Sequence, residues 1–130
     1  MNYSIKKESK YSFDETVEKT IASLAKEGFG VLTQIDVKKT LKDKIGVDFK
    51  RYVILGACNP TSAHQALLVE EELGLFLPCN VLVYENDDGK IFVSAVRPTI
   101  AMQMIKNDAL LVIAESIEEK LQKVIDSYNV

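Results

Sequence analysis

The run Arg51-Tyr52-Val53-Ile54-Leu55-Gly56-Ala57-Cys58 is apolar at nearly every position, and Asn59-Pro60 follows at once. A strand with water on one side alternates apolar and polar residues. A run without that alternation belongs at the centre of a sheet, covered on both faces or on one face and by a partner chain. Asn59 suits the N-cap of a helix and Pro60 its first turn. The stretch Thr61-Ser62-Ala63-His64-Gln65-Ala66-Leu67-Leu68 therefore reads as a helix, which Gly74 ends before Leu75-Phe76-Leu77 packs the exit. A buried strand that hands over to a helix within one residue needs other elements around it. A chain of 130 residues supplies them within a single domain, residues 1–130.

Those elements can be read on either side. Tyr3 to Ser9 alternates weakly, as an edge strand does, and Ser12 with Glu15 forms a capping box for a helix starting near Phe13. Val17, Ile21 and Leu24 share one face of that helix, and Gly28 is placed to end it. Phe29, Val31, Thr33, Ile35 and Val37 share the parity of a strand. Asp36 caps a short helix carrying Val37, Leu41 and Ile45, stopped by Gly46, with Lys38, Lys39, Lys42 and Lys44 outward as a solvated face. Two β-rich runs, 80–85 and 90–96, flank Asn86-Asp87-Asp88-Gly89 and predict a hairpin. Asp108 is read as the cap of a terminal helix bearing Ile113, Ile117, Leu121, Val124 and Tyr128. The fold class is α+β: a two-layer sandwich with a mainly antiparallel sheet and helices packed on one face.

Charge and composition remove several function classes. The net charge of −3 offers no basic field for a nucleic-acid backbone. The longest uninterrupted apolar stretch, Ala109 to Ala114, is far short of the ~20 residues of a membrane span. The opening residues carry no apolar run of signal-peptide length, so a cytoplasmic location is expected, with Cys58 and Cys79 as free thiols. Gly28-Phe29-Gly30 follows a helix rather than a strand and lacks the third glycine of a dinucleotide fingerprint, and no phosphate-loop lysine motif occurs. No cofactor is implied, and no catalytic constellation is recognised.

Three segments carry a family likeness. They are Leu55-Gly56-Ala57-Cys58-Asn59-Pro60 followed by Ala63 and Ala66-Leu67, then Gly74-Leu75-Phe76-Leu77-Pro78-Cys79-Asn80-Val81, and finally Val96-Arg97-Pro98-Thr99. Together the chain resembles the domain-of-unknown-function 302 family over essentially its whole length. The resemblance implies a compact α+β sandwich and a homodimer, and it carries no reaction with it.

The site expected from the residues themselves lies where the central strand meets the helix. The first N–H groups of a helix lack intrahelical partners and favour an anion, and they lower the pKa of a nearby thiol. Cys58, Asn59, Thr61, Ser62 and His64, with Arg97 arriving from the end of the hairpin, form the candidate pocket for a small anionic ligand. The plainer alternative is that Asn59 only caps the helix and Cys58 packs as a small hydrophobe. A thiol-dependent redox or metal-handling role for Cys58, His64 and Cys79 is a further alternative. A crossover connection through a helix of ~12 residues would, however, hold the two thiols at opposite ends of the sheet. Arg97, kept extended by Pro98, is free to clamp a carboxylate or phosphate, or to brace a loop carbonyl or one of Glu70, Glu71 and Glu72.

Overall fold

A computed structural model describes residues 2–128. Strand β1 (Ser4–Ser9) leads into helix α1 (Phe13–Lys26), β2 (Gly30–Asp36), α2 (Val37–Ile45) and β3 (Tyr52–Cys58). Helix α3 (Pro60–Val69) and a 3-10 turn (Glu71–Phe76) precede the hairpin of β4 (Cys79–Glu85) and β5 (Ile91–Val96). A short α4 (Pro98–Ala101), a second 3-10 turn (Gln103–Ile105) and the long α5 (Asp108–Asp126) complete the domain. The sheet has five strands in the order β1-β5-β4-β3-β2, antiparallel throughout. Helices α1 and α5 pack on one face of it. This is the α+β two-layer architecture expected from the sequence.

Local chemistry sets most of the boundaries. The Glu15 N–H donates to Ser12 Oγ (3.2 Å) and Ser12 Oγ–H to Glu15 Oε1 (3.0 Å), a closed capping box. Helix α1 ends with the Gly28 N–H on the Ala25 carbonyl and the Phe29 N–H on that of Leu24. The positive φ of 84° at Gly28 makes that reversal possible. In the hairpin, Asn86 Oδ1 accepts from the N–H groups of Asp88 and Lys90, and Gly89 takes φ 79°.

Three boundaries differ from the sequence reading. Helix α3 stops at Val69, five residues before Gly74, because Asn107 Nδ2 donates to the Val69 carbonyl (2.9 Å) and to Glu70 Oε1 (3.2 Å) and holds the chain there. Asn107, not Asp108, caps α5, its Oδ1 accepting from the Leu110 N–H. The parity read through Phe29 and Val37 breaks at a bulge: Val31 pairs with Ala57 while Thr33, two residues on, pairs with Gly56.

Alternation on β3 divides its long apolar run between two environments. Val53, Leu55 and Ala57 face the helices with Val81, Val83, Val93 and Ala95, and meet Leu24, Ile117, Leu121 and Val124 in the main core. Tyr128 is buried there too, its hydroxyl bonded to Thr20 Oγ1 and donating to the Thr16 carbonyl. Tyr52 and Ile54 point the other way, in line with Leu82, Tyr84 and Phe92 on the neighbouring strands. Tyr52, Tyr84 and Phe92 stack across strands at 5.6 and 5.7 Å, and Lys6 Nζ lies 4.7 Å from the Phe92 ring centre. No helix covers this face in the described residues.

Candidate functional site

The strand-to-helix junction forms as its residues dictate. Asn59 has extended backbone (φ −97°, ψ 104°), and its Oδ1 accepts from the Ser62 N–H at 3.2 Å. Its Nδ2 donates to the Glu27 carbonyl at 3.4 Å, tying α3 to the end of α1. The Ala63 N–H bonds the Asn59 carbonyl at 2.9 Å. Pro60 has no N–H, so at most the Thr61 N–H is left for a ligand at this helix start. Ser62 is buried, while Thr61 and His64 are exposed on the outer side of α3.

Register gathers the remaining candidates at this same end of the sheet. β3 and β4 are antiparallel neighbours, with Ala57 opposite Cys79, so the connection between them returns to the end it left. The expected separation of the thiols is thereby corrected. Cys58 and Cys79 sit at one end because α3 and its 3-10 turn make a hairpin-like excursion rather than a crossover. The pairing of Val81 with Ala95 carries Arg97 to the level of Cys79 on the next strand. Two interstrand spacings, about 10 Å, then separate the strand of Cys58 from that of Arg97. Arg97 is fixed by its N–H on the Tyr3 carbonyl (2.9 Å), and its Nε is buried without a hydrogen-bond partner. Glu118, on the helix above this corner, is occupied: its Oε1 accepts from the N–H and hydroxyl of Thr99. None of Glu70, Glu71 and Glu72 forms an ion pair with Arg97 among the described residues, and Glu70 is engaged by Asn107.

The space around these groups is unevenly distributed. Between Phe29, Ala57, Cys58, Cys79 and Ile113 lies an apolar void of about 10 Å³, room for one water. A cleft of about 240 Å³ opens next to it, lined by Leu77, Pro78, Asn80, Val96, Pro98 and Ala101; Arg97, between the last strand residue and Pro98, is not part of its lining. A roomier groove of about 540 Å³ runs between α1 and the β2–β3 edge at the other end of the sheet. Its two bases are engaged: Arg51 Nη2 meets Asp14 at 2.7 Å and the guanidinium lies over the Phe13 ring, and Lys38 Nζ donates to the Phe49 carbonyl.

The thiols are not equivalent. Cys79 is buried, and burial, reinforced by the neighbouring charge of Cys58, pushes its pKa up to about 11. Cys58 is half-buried. Alternation puts Cys79 on the helix face with Ala57, and Cys58, the last residue of β3, lines the same small void. At pH 8 a thiol with a pKa of about 11 is ionised about one part in a thousand. Iodoacetamide under native conditions is therefore expected to label Cys58 while Cys79 stays unmodified until the chain unfolds. Peptide mass mapping checks this, and equal labelling rates would contradict it. A folded-state pKa above the ordinary 9.0 also means that the folded chain holds this proton longer than the unfolded one. Its contribution to stability is complete below pH 9 and is lost as pH rises toward about 11.

Among the described residues no group of three or more His, Cys, Asp or Glu side chains is placed to hold a metal ion. Cys58, His64 and Cys79 are accordingly not gathered around one point. The arrangement offers instead an arginine whose buried Nε has no partner among the described residues, at the sheet end where the helix junction stands. The exposed aliphatic side chains of α3 were not singled out by the sequence reading; Leu75, expected to pack the exit of the helix, is exposed as well.

Comparison with known proteins places this geometry. Residues 5–128 match the family described as "Domain of unknown function DUF302". The fold is similar to the crystal structure of an uncharacterized conserved DUF302 protein from Bacillus stearothermophilus, with a TM-score of 0.91 and 35% sequence identity. That match covers 97% of this chain and 98% of the other. Curated relatives include a fluoride-specific ion channel, FluC 1, from Brucella suis and another from Brucella abortus, each 28% identical over 92 residues and 70% of this chain. The chain spans about a third of the length of these relatives, 35% and 33% respectively. None of its described helices is long and apolar enough to cross a membrane.

Proposed function

The chain belongs to the DUF302 family, and from that premise we propose that it is a cytoplasmic homodimeric binding module that takes a small anionic ligand at the sheet end marked by Arg97. The observation that carries the reading is the buried Arg97 Nε without a partner. A buried donor on a permanently charged group is costly to leave unsatisfied, and a bidentate carboxylate or phosphate satisfies it best. The cleft of about 240 Å³ lined by Arg97's chain neighbours Val96 and Pro98 is of a size for a small ligand, although Arg97 itself does not line it. The names of the curated relatives add support, since they are channels for an anion and share with this chain a third of their length. Free thiols agree with a reducing compartment.

Thermal denaturation against inorganic phosphate, fluoride and a series of small carboxylates tests the site. At least one anion is expected to raise the melting temperature of the wild type; a ligand at a hundred times its Kd contributes about 2.7 kcal/mol. Arg97→Met is expected to abolish that response and to melt no lower than wild type without ligand, because it removes an unpaired charge. A response unchanged in Arg97→Met, or none of these anions stabilising the wild type, refutes the reading.

The homodimer is supported by a separate observation, the uncovered sheet face with Ile54, Leu82, Tyr84 and Phe92. Four interstrand spacings of ~4.8 Å make it roughly 19 Å wide, a breadth suited to sheet-on-sheet packing about 10 Å apart. Sedimentation equilibrium is expected to give twice the chain mass of 14.5 kDa, and Leu82→Asp to return it to that value. A wild type that stays at the single-chain mass at high concentration removes the dimer.

A further inference from the structure

Helix α3 is built the wrong way round for a helix that serves only the core. It meets the rest of the domain through small residues, Ser62 and Ala66, and turns its large ones outward: Leu68 is 73% exposed and Val69 40%. Ala66 packs into a second core cluster with Leu73, Met102, Leu110 and Ala114, which fixes α3 beside the start of α5. The first turn of α5 repeats the pattern: Leu110 is buried, while Leu111 and Val112 are 43% and 68% exposed. Asn107 joins the end of α3 to the start of α5 through the Val69 carbonyl, so the two sets of outward side chains stand on neighbouring helices. Met104 and Leu75, 73% and 79% exposed, belong to the two 3-10 turns attached to them. A notch of about 80 Å³ between Met102, Lys106 and Leu111 indents the surface. Contiguous exposure of this kind on a soluble domain marks an interaction surface.

Charge decides among occupants. Glu71 and Glu72 are exposed at the end of α3, Asp108 opens α5, and Glu115 follows Leu111 by one turn; Lys106 is the base among them. A second copy laid on the same patch would set one mainly acidic surface against another, with Lys106 as the base on each side. An anionic lipid surface would meet the same repulsion. We infer that this corner docks an amphipathic helical segment of a partner protein, apolar on one face and flanked by lysine or arginine. The partner's apolar stripe would lie on Leu68, Val69, Leu111 and Val112, and its basic flanks would meet Glu71, Glu72 and Asp108. This surface lies on the helices, apart from the uncovered sheet face, and does not depend on the anion reading.

Two synthetic peptides of about four helical turns, with the same leucine stripe but lysine flanks in one and glutamate flanks in the other, test it by fluorescence anisotropy on the full chain. The lysine-flanked peptide is expected to bind saturably, and Leu68→Asp to weaken it roughly tenfold or more. Glu71→Gln with Glu72→Gln is expected to weaken it about threefold and to reduce its salt dependence. Exposure of Leu68 means that Leu68→Asp keeps the fold, which circular dichroism verifies; Val112→Asp provides an independent second probe. Equal binding of the two peptides, absence of saturable binding by either, or affinity unchanged in both aspartate variants overturns the proposal. It is also overturned if Leu68→Asp converts a dimer to a monomer, since the occupant is then a second copy.

Discussion

Replacing Gly56 by alanine is expected to lower the stability of the domain by about 3 kcal/mol, one of the largest effects available from adding a single methyl group. Gly56 lies in the middle of the sheet, paired with Thr33 on β2 and with Asn80 on β4. A Cβ built on it would stand 2.1 Å from Thr33 Oγ1 and 2.8 Å from Pro78 Cγ. The first neighbour is a side chain on an edge strand and can rotate away. The second is a ring that closes over the sheet from the segment entering β4, and it cannot. Denaturant titration of Gly56→Ala alone and combined with Thr33→Ala separates the two contacts. Thr33→Ala is expected to restore part of the loss and leave the share due to Pro78. If Gly56→Ala is as stable as wild type, the close approach of Pro78 to β3 is wrong, and with it the wall of the cleft that Pro78 lines with Val96 and Pro98.

The same glycine illustrates what could be read from the sequence. Signals confined to a few neighbours were legible: the Ser12–Glu15 box, Gly28 as the end of α1, Asn59-Pro60 as the start of α3, and the Asn86–Gly89 turn all form as their chemistry requires. The heptad-like spacing of Ile117, Leu121, Val124 and Tyr128 likewise ends up on one buried face. What depends on a distant partner was not legible. Helix α3 was expected to run to Gly74, but Asn107, 38 residues beyond Val69, sets its end. The bulge between Val31 and Thr33 leaves no mark in a run of residues that all suit a strand.

The candidate site shows the same division. Cys58 and Asn59 could be placed because strand and helix meet there in sequence. Their relation to Cys79 and Arg97 depends on strand order, which no local pattern encodes. Burial of Cys79 and the lack of a partner for Arg97 Nε are consequences of tertiary packing alone. An outward Leu68 was equally hidden, since its side is known only once Ala66, two residues earlier and about 200° round the helix, is known to face in. Only the packing of Ala66 against Leu110 and Ala114 shows which side of α3 faces in.

That contrast yields the second large effect. Leu121→Ala is expected to cost about 3 kcal/mol, within the 2–5 kcal/mol range for deleting a fully buried leucine, and to lower the melting temperature by roughly 10 °C. Leu121 is 0% exposed, enclosed between α1, the sheet and its own neighbours Ile117 and Val124, so no solvent can enter the space it leaves. Leu68→Ala removes the same atoms from a side chain that is 73% exposed, and is expected to change stability by no more than about 0.5 kcal/mol. Thermal and urea unfolding of the two variants side by side compares one residue type in two environments. A loss above about 1.5 kcal/mol for Leu68→Ala would mean that the outer side of α3 is part of the core, and the docking surface would lose its premise. A small loss leaves a large aliphatic side chain that folding does not need, standing in water beside Val69, Leu111 and Val112, where a partner's apolar face is the environment that suits it.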